Sequence, residues 1–147
     1  MSTIAQDQTA MTTQHFRTSN PYEATFGYSR AVRRGPFILV SGTTSIDPDS
    51  GVLRYKDGTA EQQARAAFQE GLRAVTALGG TRMDVVRVRM FVTSQEDTDG
   101  VGRALKEALG DVGPAATMIV GANQNEMHPL GGGLRIDLLK LKTEGCL

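Results

Sequence analysis

Apolar and polar positions alternate most regularly from Asp84 to Thr93: Val86, Val88, Met90 and Val92 on one side, Arg87, Arg89, Phe91 and Thr93 on the other. That period of two predicts a strand with one buried face. Leu134, Ile136 and Leu138 against Arg135, Asp137 and Leu139 predict another over Leu134 to Leu141. The run Phe37-Ile38-Leu39-Val40 follows a turn at Arg33-Arg34-Gly35-Pro36, and the weaker alternation of Phe26 to Val32 precedes it. Together these read as an antiparallel hairpin. Ala64, Phe68, Leu72, Val75 and Leu78 recur at helical spacing. Thr59 and Gln62 supply a capping box ahead of them, and Gly79-Gly80 ends the helix. Gly71 inside costs about 1 kcal/mol against alanine and suits a close approach to a sheet. A second helix is predicted from about Thr98 to Leu109, with Gly110 at its end. Gly113-Pro114 then turns the chain into the short apolar run Thr117 to Val120, the length of a buried strand.

The order β-β-α-β-α-β-β predicts an α+β layer, two helices covering one face of a mixed sheet. The other face would carry Arg87, Arg89, Arg135 and Asp137 beside Phe91, Met118 and Val120. It is too apolar for plain solvent and too charged for a dry core, so a second subunit is expected over it, with clefts between subunits. The chain divides into a polar tail over 1–20, one domain over 21–142 and a short tail over 143–147. The first fifteen residues, rich in Thr, Gln and Ser with neither an apolar core nor arginines, read as loose chain rather than a targeting peptide.

Composition narrows the chemistry. In 147 residues, 16 basic side chains balance 16 acidic ones, and no basic run stands out. That argues against a nucleic-acid or anionic-membrane partner. Cys146 is the single cysteine, so no internal disulfide can form. No Cys/His spacing suggests a metal site, no apolar run reaches spanning length, and a reducing, cytoplasmic setting is expected.

Several short pieces carry a family resemblance: Gly27-Tyr28, Val40-Ser41-Gly42, Asp47-Pro48-x-x-Gly51, the Gln-rich start of the first helix, Asp84-Val85-Val86 with Phe91-Val92-Thr93, and Pro114-Ala115. In this order and spacing, from about Phe26 to Leu141, the chain resembles the Rid (YjgF) family of reactive-intermediate deaminases. The resemblance implies a chorismate-mutase-like fold and a homotrimer with ligand clefts at its subunit boundaries. It also implies cofactor-free, metal-free hydrolysis of imines and enamines such as 2-aminoacrylate to a keto acid and ammonia. In active members an arginine after Pro-Ala grips the substrate carboxylate, and a first-strand tyrosine and a last-strand glutamate complete the site.

Tyr28 matches the tyrosine. Ala116 stands at the arginine position and Arg135 at that of the glutamate, with Asp137 the next acidic position. This looks like an arginine-lacking branch, for which weak or no turnover of 2-aminoacrylate is expected. Tyr28 and Asp137 are the candidate catalytic groups. Arg89 and Arg135 are candidate replacement cations for an anionic or imine-type metabolite, or else ion-pair partners at a subunit boundary. Ala116, Thr117, Met118, Ser41 and Gly42 are placed in the cleft wall. Ser41 lacks an evident His/Asp relay for nucleophilic work. Glu126 and His128, in the loop Ala122–Gly133, are a candidate lid or a plain surface loop. The alternative functions are a metabolite-binding trimer without catalysis and, less favoured, an endoribonuclease or translation inhibitor.

Overall fold

The computed structural model describes residues 12–122 and the backbone of 134–141. The elements in chain order are β1 (Thr13–Phe16), α1 (Pro21–Phe26), β2 (Ala31–Arg34), β3 (Phe37–Val40), α2 (Ala60–Ala77), β4 (Val85–Val92), α3 (Thr98–Leu109), β5 (Ala115–Val120) and β6 (Leu134–Leu141). From β2 onward this is the predicted β-β-α-β-α-β-β order. The strands form one sheet in the order β1-β2-β3-β6-β4-β5. Only the β4–β5 pair is parallel, joined through α3; the other ladders are antiparallel. The last strand thus enters the middle of the sheet, between β3 and β4.

Both long helices lie on one face. Ala64, Phe68, Ala74 and Val75 of α2 and Val101, Ala104 and Leu109 of α3 pack on Ile38, Val40, Val88, Met90 and Val92. The capping box at Thr59 is formed, with Thr59 Oγ1 accepting from Gln62 N at 3.2 Å and Gln62 Oε1 accepting from Thr59 N at 2.9 Å. Gly71 is buried in the helix, as a close approach requires.

Three elements differ from expectation. Thr13–Phe16, expected in the loose tail, pairs with β2 as an edge strand. Phe26 to Tyr28 is not strand: Asn20 caps a helix with Pro21 in its first turn, and Gly27 ends it in the left-handed region at φ 70°. A proline pre-set for the first turn and an Asn cap outweigh a weak alternation. In β4, the register against β6 shifts between Val85 and Arg87. This irregularity lets Val85 into the core and leaves Val86 exposed, so the predicted inward set holds only from Val88 onward.

Among the described residues, no element covers the face away from the helices. A row straight across it runs Leu39, Leu139, Arg87, Ala115. The next runs Asp137, Arg89, Thr117, and the next Arg135, Phe91, Ile119. Met118 and Val120, expected on this face, pair instead with Met90 and Val92 on the helix side, and Met118 packs on the core. Among the described residues no helix is long and apolar enough to cross a membrane.

Candidate functional site

The short helix α1 exists to turn the chain sharply. Asn20 Oδ1 accepts from Tyr22 N at 3.0 Å at its start, and Tyr28 N donates to Glu23 O at 3.1 Å just past its end. The turn delivers Tyr28 to one wall of a cleft of about 350 Å³, beside Ser41, Gly42, Thr43 and Arg30, with Glu70 of α2 also on its lining. Pairing of β2 with β3 brings the two chain segments together, and Ser41 N donates to Arg30 O at 2.9 Å where the ladder ends.

Arg30 holds this corner. It is only 8% exposed. Its Nε donates to Glu23 Oε1 at 3.2 Å, and its Nη1 donates to Gly42 O at 3.0 Å and Thr43 Oγ1 at 3.2 Å. Its Nη2 donates to the Tyr28 hydroxyl oxygen at 3.4 Å, and the guanidinium carbon stands 5.7 Å from the centre of the Tyr28 ring. Glu23, 4% exposed, accepts in addition from Thr18 N at 2.8 Å and Thr18 Oγ1 at 2.7 Å. A charge this deeply buried is tolerable because it is paired and hydrogen-bonded on both sides.

Ser41 Oγ donates to Ser29 O at 2.7 Å, so its proton is committed to the backbone. Ser29 Oγ lies 3.0 Å from His15 Nδ1 and accepts from Arg17 Nε at 3.3 Å. Glu70 Oε2 accepts from Arg73 Nε at 3.0 Å, and Glu70 Oε1 lies 3.6 Å from Arg54 Nη2. Nearby, the turn after the cleft's Ile46 is tied by Asp47. Its carboxyl is held below the usual range by the Ser50 N–H and hydroxyl, helped by the Asp49 N–H.

The candidates read from sequence separate into two groups. Tyr28, Ser41 and Gly42 share the cleft. Ala116, Thr117 and Met118 lie on β5, and β6 and β4 stand between β5 and β3. Three strand spacings put β5 about 14 Å from β3. Arg89, on β4, is two spacings from β3 and directly opposite Asp137 in the ladder. Within one chain these groups do not converge on Tyr28. Arg135 and Asp137 take positions on the uncovered face through their register. Glu126 and His128 lie outside the described residues. Arg30 and Glu70 were not singled out in the sequence. No local signal marks Arg30: a lone arginine just ahead of a strand reads as solvated until the fold-back of α1 sets Glu23 beside it.

A family model described as Endoribonuclease L-PSP matches residues 18–128. The chain belongs to this family, the YjgF/Rid family. An uncharacterised protein of Streptomyces coelicolor is 32% identical over 112 residues, covering 76% of this chain and 81% of that one. A RutC family protein of Pyrococcus abyssi is 30% identical over 93 residues, covering 63% of this chain and 71% of that one. The crystal structure of a Mycobacterium tuberculosis member of the YjgF/YER057c/UK114 family superposes with a TM-score of 0.73 at 29% identity, over 88% of this chain and 99% of that one. RidA from a Psychrobacter bacterium superposes with a TM-score of 0.67 at 28% identity, over 78% and 87%. The fold and the family expected from the sequence are thereby established.

Proposed function

We propose that this Rid-family chain forms trimers whose boundary clefts carry out cofactor-free hydrolysis of a reactive imine or enamine, with weak or no action on 2-aminoacrylate. The observation that carries the reading is the division of the candidate residues. One corner of the chain holds a cleft with Tyr28 braced on buried Arg30, and the opposite edge of the sheet holds Ala116 and Thr117. A second copy whose β5 and open face met that corner would complete a site that one chain leaves half built. Thr117, Arg89 and, through β6, Arg135 and Asp137 would then join Tyr28 from the neighbouring subunit.

In such a site Tyr28 donates a hydrogen bond to the substrate, and a carboxylate, Asp137 of the neighbour or Glu70 of the cleft, moves the proton between water and nitrogen. A positioned acid or base of this kind contributes about 10²–10⁴-fold. Ala116 offers apolar contact where active relatives have an arginine, and so forgoes a charge-assisted pair of about 1.5–3 kcal/mol. The test is release of keto acid from 2-aminoacrylate generated in situ by a dehydratase. We expect little acceleration by the wild-type chain and a gain with Ala116→Arg. Wild-type turnover matching an arginine-containing relative would overturn the reading.

A binding trimer without turnover is the second reading. It is favoured by the engagement of the Ser41 hydroxyl with a backbone carbonyl, which commits that side chain's proton away from any ligand. The ribonuclease description attached to the family finds little support in this chain. Its formal net charge is zero, aromatics make up 5% of it, and the described residues lining the cleft include no histidine.

A further inference from the structure

We infer that the cleft's carboxylate-binding cation is Arg30, acting with the Tyr28 hydroxyl, so that the ligands of this site are small carboxylates even without an arginine on β5. The inference rests on the reading of this cleft as the ligand site.

The donor count points there. A guanidinium has five N–H groups. In Arg30, Nε is spent on Glu23, and Nη1 is spent on Gly42 O and Thr43 Oγ1. Nη2 reaches a single acceptor among the described residues, the Tyr28 oxygen at 3.4 Å, so one of its two N–H groups is unspent on the cleft wall. Because the Tyr28 oxygen accepts from Arg30, the phenolic proton is directed elsewhere, toward the cleft. Two adjacent donors therefore address the cavity from one corner, an N–H of a cation and an O–H polarised by it. A carboxylate, with two oxygens and acceptor sites only, is the group that such a corner takes.

The corner is preorganised. Glu23 and the Gly42 carbonyl clamp the guanidinium from below, and Thr18 in turn satisfies Glu23. Little side-chain freedom is left to lose on binding. Arg89 is on β4, two strands from β3, and Arg135 is on β6 opposite Phe91, four positions along from the Leu39–Leu139 pair, whereas Arg30 lines the cleft without a second subunit.

The experiment compares pyruvate with its neutral analogue methyl pyruvate, each titrated into the full chain by calorimetry or ligand-observed NMR. We expect wild-type protein to prefer pyruvate by about tenfold or more, as a charge-assisted pair should give. Tyr28→Phe leaves the buried ion pair in place and should lower the preference several-fold. The double variant Glu23→Gln/Arg30→Gln, which removes both buried charges together, should abolish it. If the double variant does not fold, as judged by circular dichroism, Tyr28→Phe decides. Equal binding of the two ligands to wild-type protein would overturn the inference, as would a preference unchanged in Tyr28→Phe. Either result leaves the imine-hydrolysis assay untouched. Conversely, brisk 2-aminoacrylate turnover would sink the proposed function while leaving the pyruvate preference standing.

Discussion

Glu23 and Arg30 are seven positions apart and buried against each other, with Thr18, Gly42 and Thr43 completing their hydrogen bonds. Removing one member strands the other's charge in the protein interior. Glu23→Ala should therefore cost about 3–5 kcal/mol in urea unfolding, and Glu23→Gln less. Gly27 is a second residue on which the corner depends. It sits at φ 70°, yet a Cβ there would meet nothing within 4 Å. The penalty of Gly27→Ala is thus purely backbone, about 1–2 kcal/mol, and Gly27→Asn should cost less, because Asn tolerates the left-handed region. Tyr28, Ser41 and Gly42 could be singled out from their neighbours in sequence. Arg30 could not, since a lone arginine in an alternating segment reads as solvated, and only the fold-back of α1 brings Glu23 beneath it.

At the scale of elements, the caps and ties are local and behave accordingly. Thr59→Ala removes one arm of the α2 capping box and should cost about 1 kcal/mol. Between elements, Arg82 ahead of β4 grips Asp111 just past α3, with Nη1 to Oδ1 at 2.7 Å and a second bond from Nη2 to Oδ2. That hydrogen bond holds the Asp111 carboxyl below its ordinary value. Glu61, bonded to Arg103 of α3, is lowered in the same way. A depressed carboxylate contributes stability above its unfolded value and loses it as pH falls through the folded one. Stability should hold near neutrality and decline as the solution is acidified through and below the ordinary carboxylate range, and Asp111→Asn should flatten part of that decline in pH-dependent melting. Asp111 is exposed and Glu61 partly so, and the effect is therefore small and weakens with salt. The helices and β4 were legible because caps and periodicity act over a few residues. The irregularity at Val86 was not, because it exists only against β6, a strand about fifty positions later.

At the scale of the whole molecule, the described residues leave one side of the sheet without a helix layer. Leu39, 52% exposed, stands there in line with Arg87 and Ala115. If a second and third copy cover this side, Leu39→Glu should turn a species of three chain masses into one of a single mass in sedimentation or light scattering, with circular dichroism unchanged. A wild-type monomer would remove the shared-cleft part of the proposal. The hydrophobic pattern by itself determined the long helices, the strands from β3 to β6, their order and many of the inward-facing positions, while the first strand of the hairpin lies later in the chain than the pattern suggested. Those depend on spacings of two, three and four residues, which the chain carries locally. Tertiary structure alone decided that β6 lies between β3 and β4, that Thr13–Phe16 extends the sheet, and that Arg30, Glu23 and Glu70 gather around Tyr28. Those outcomes are set by which distant segments can bury surface and satisfy hydrogen bonds together, and no short stretch of sequence contains that information.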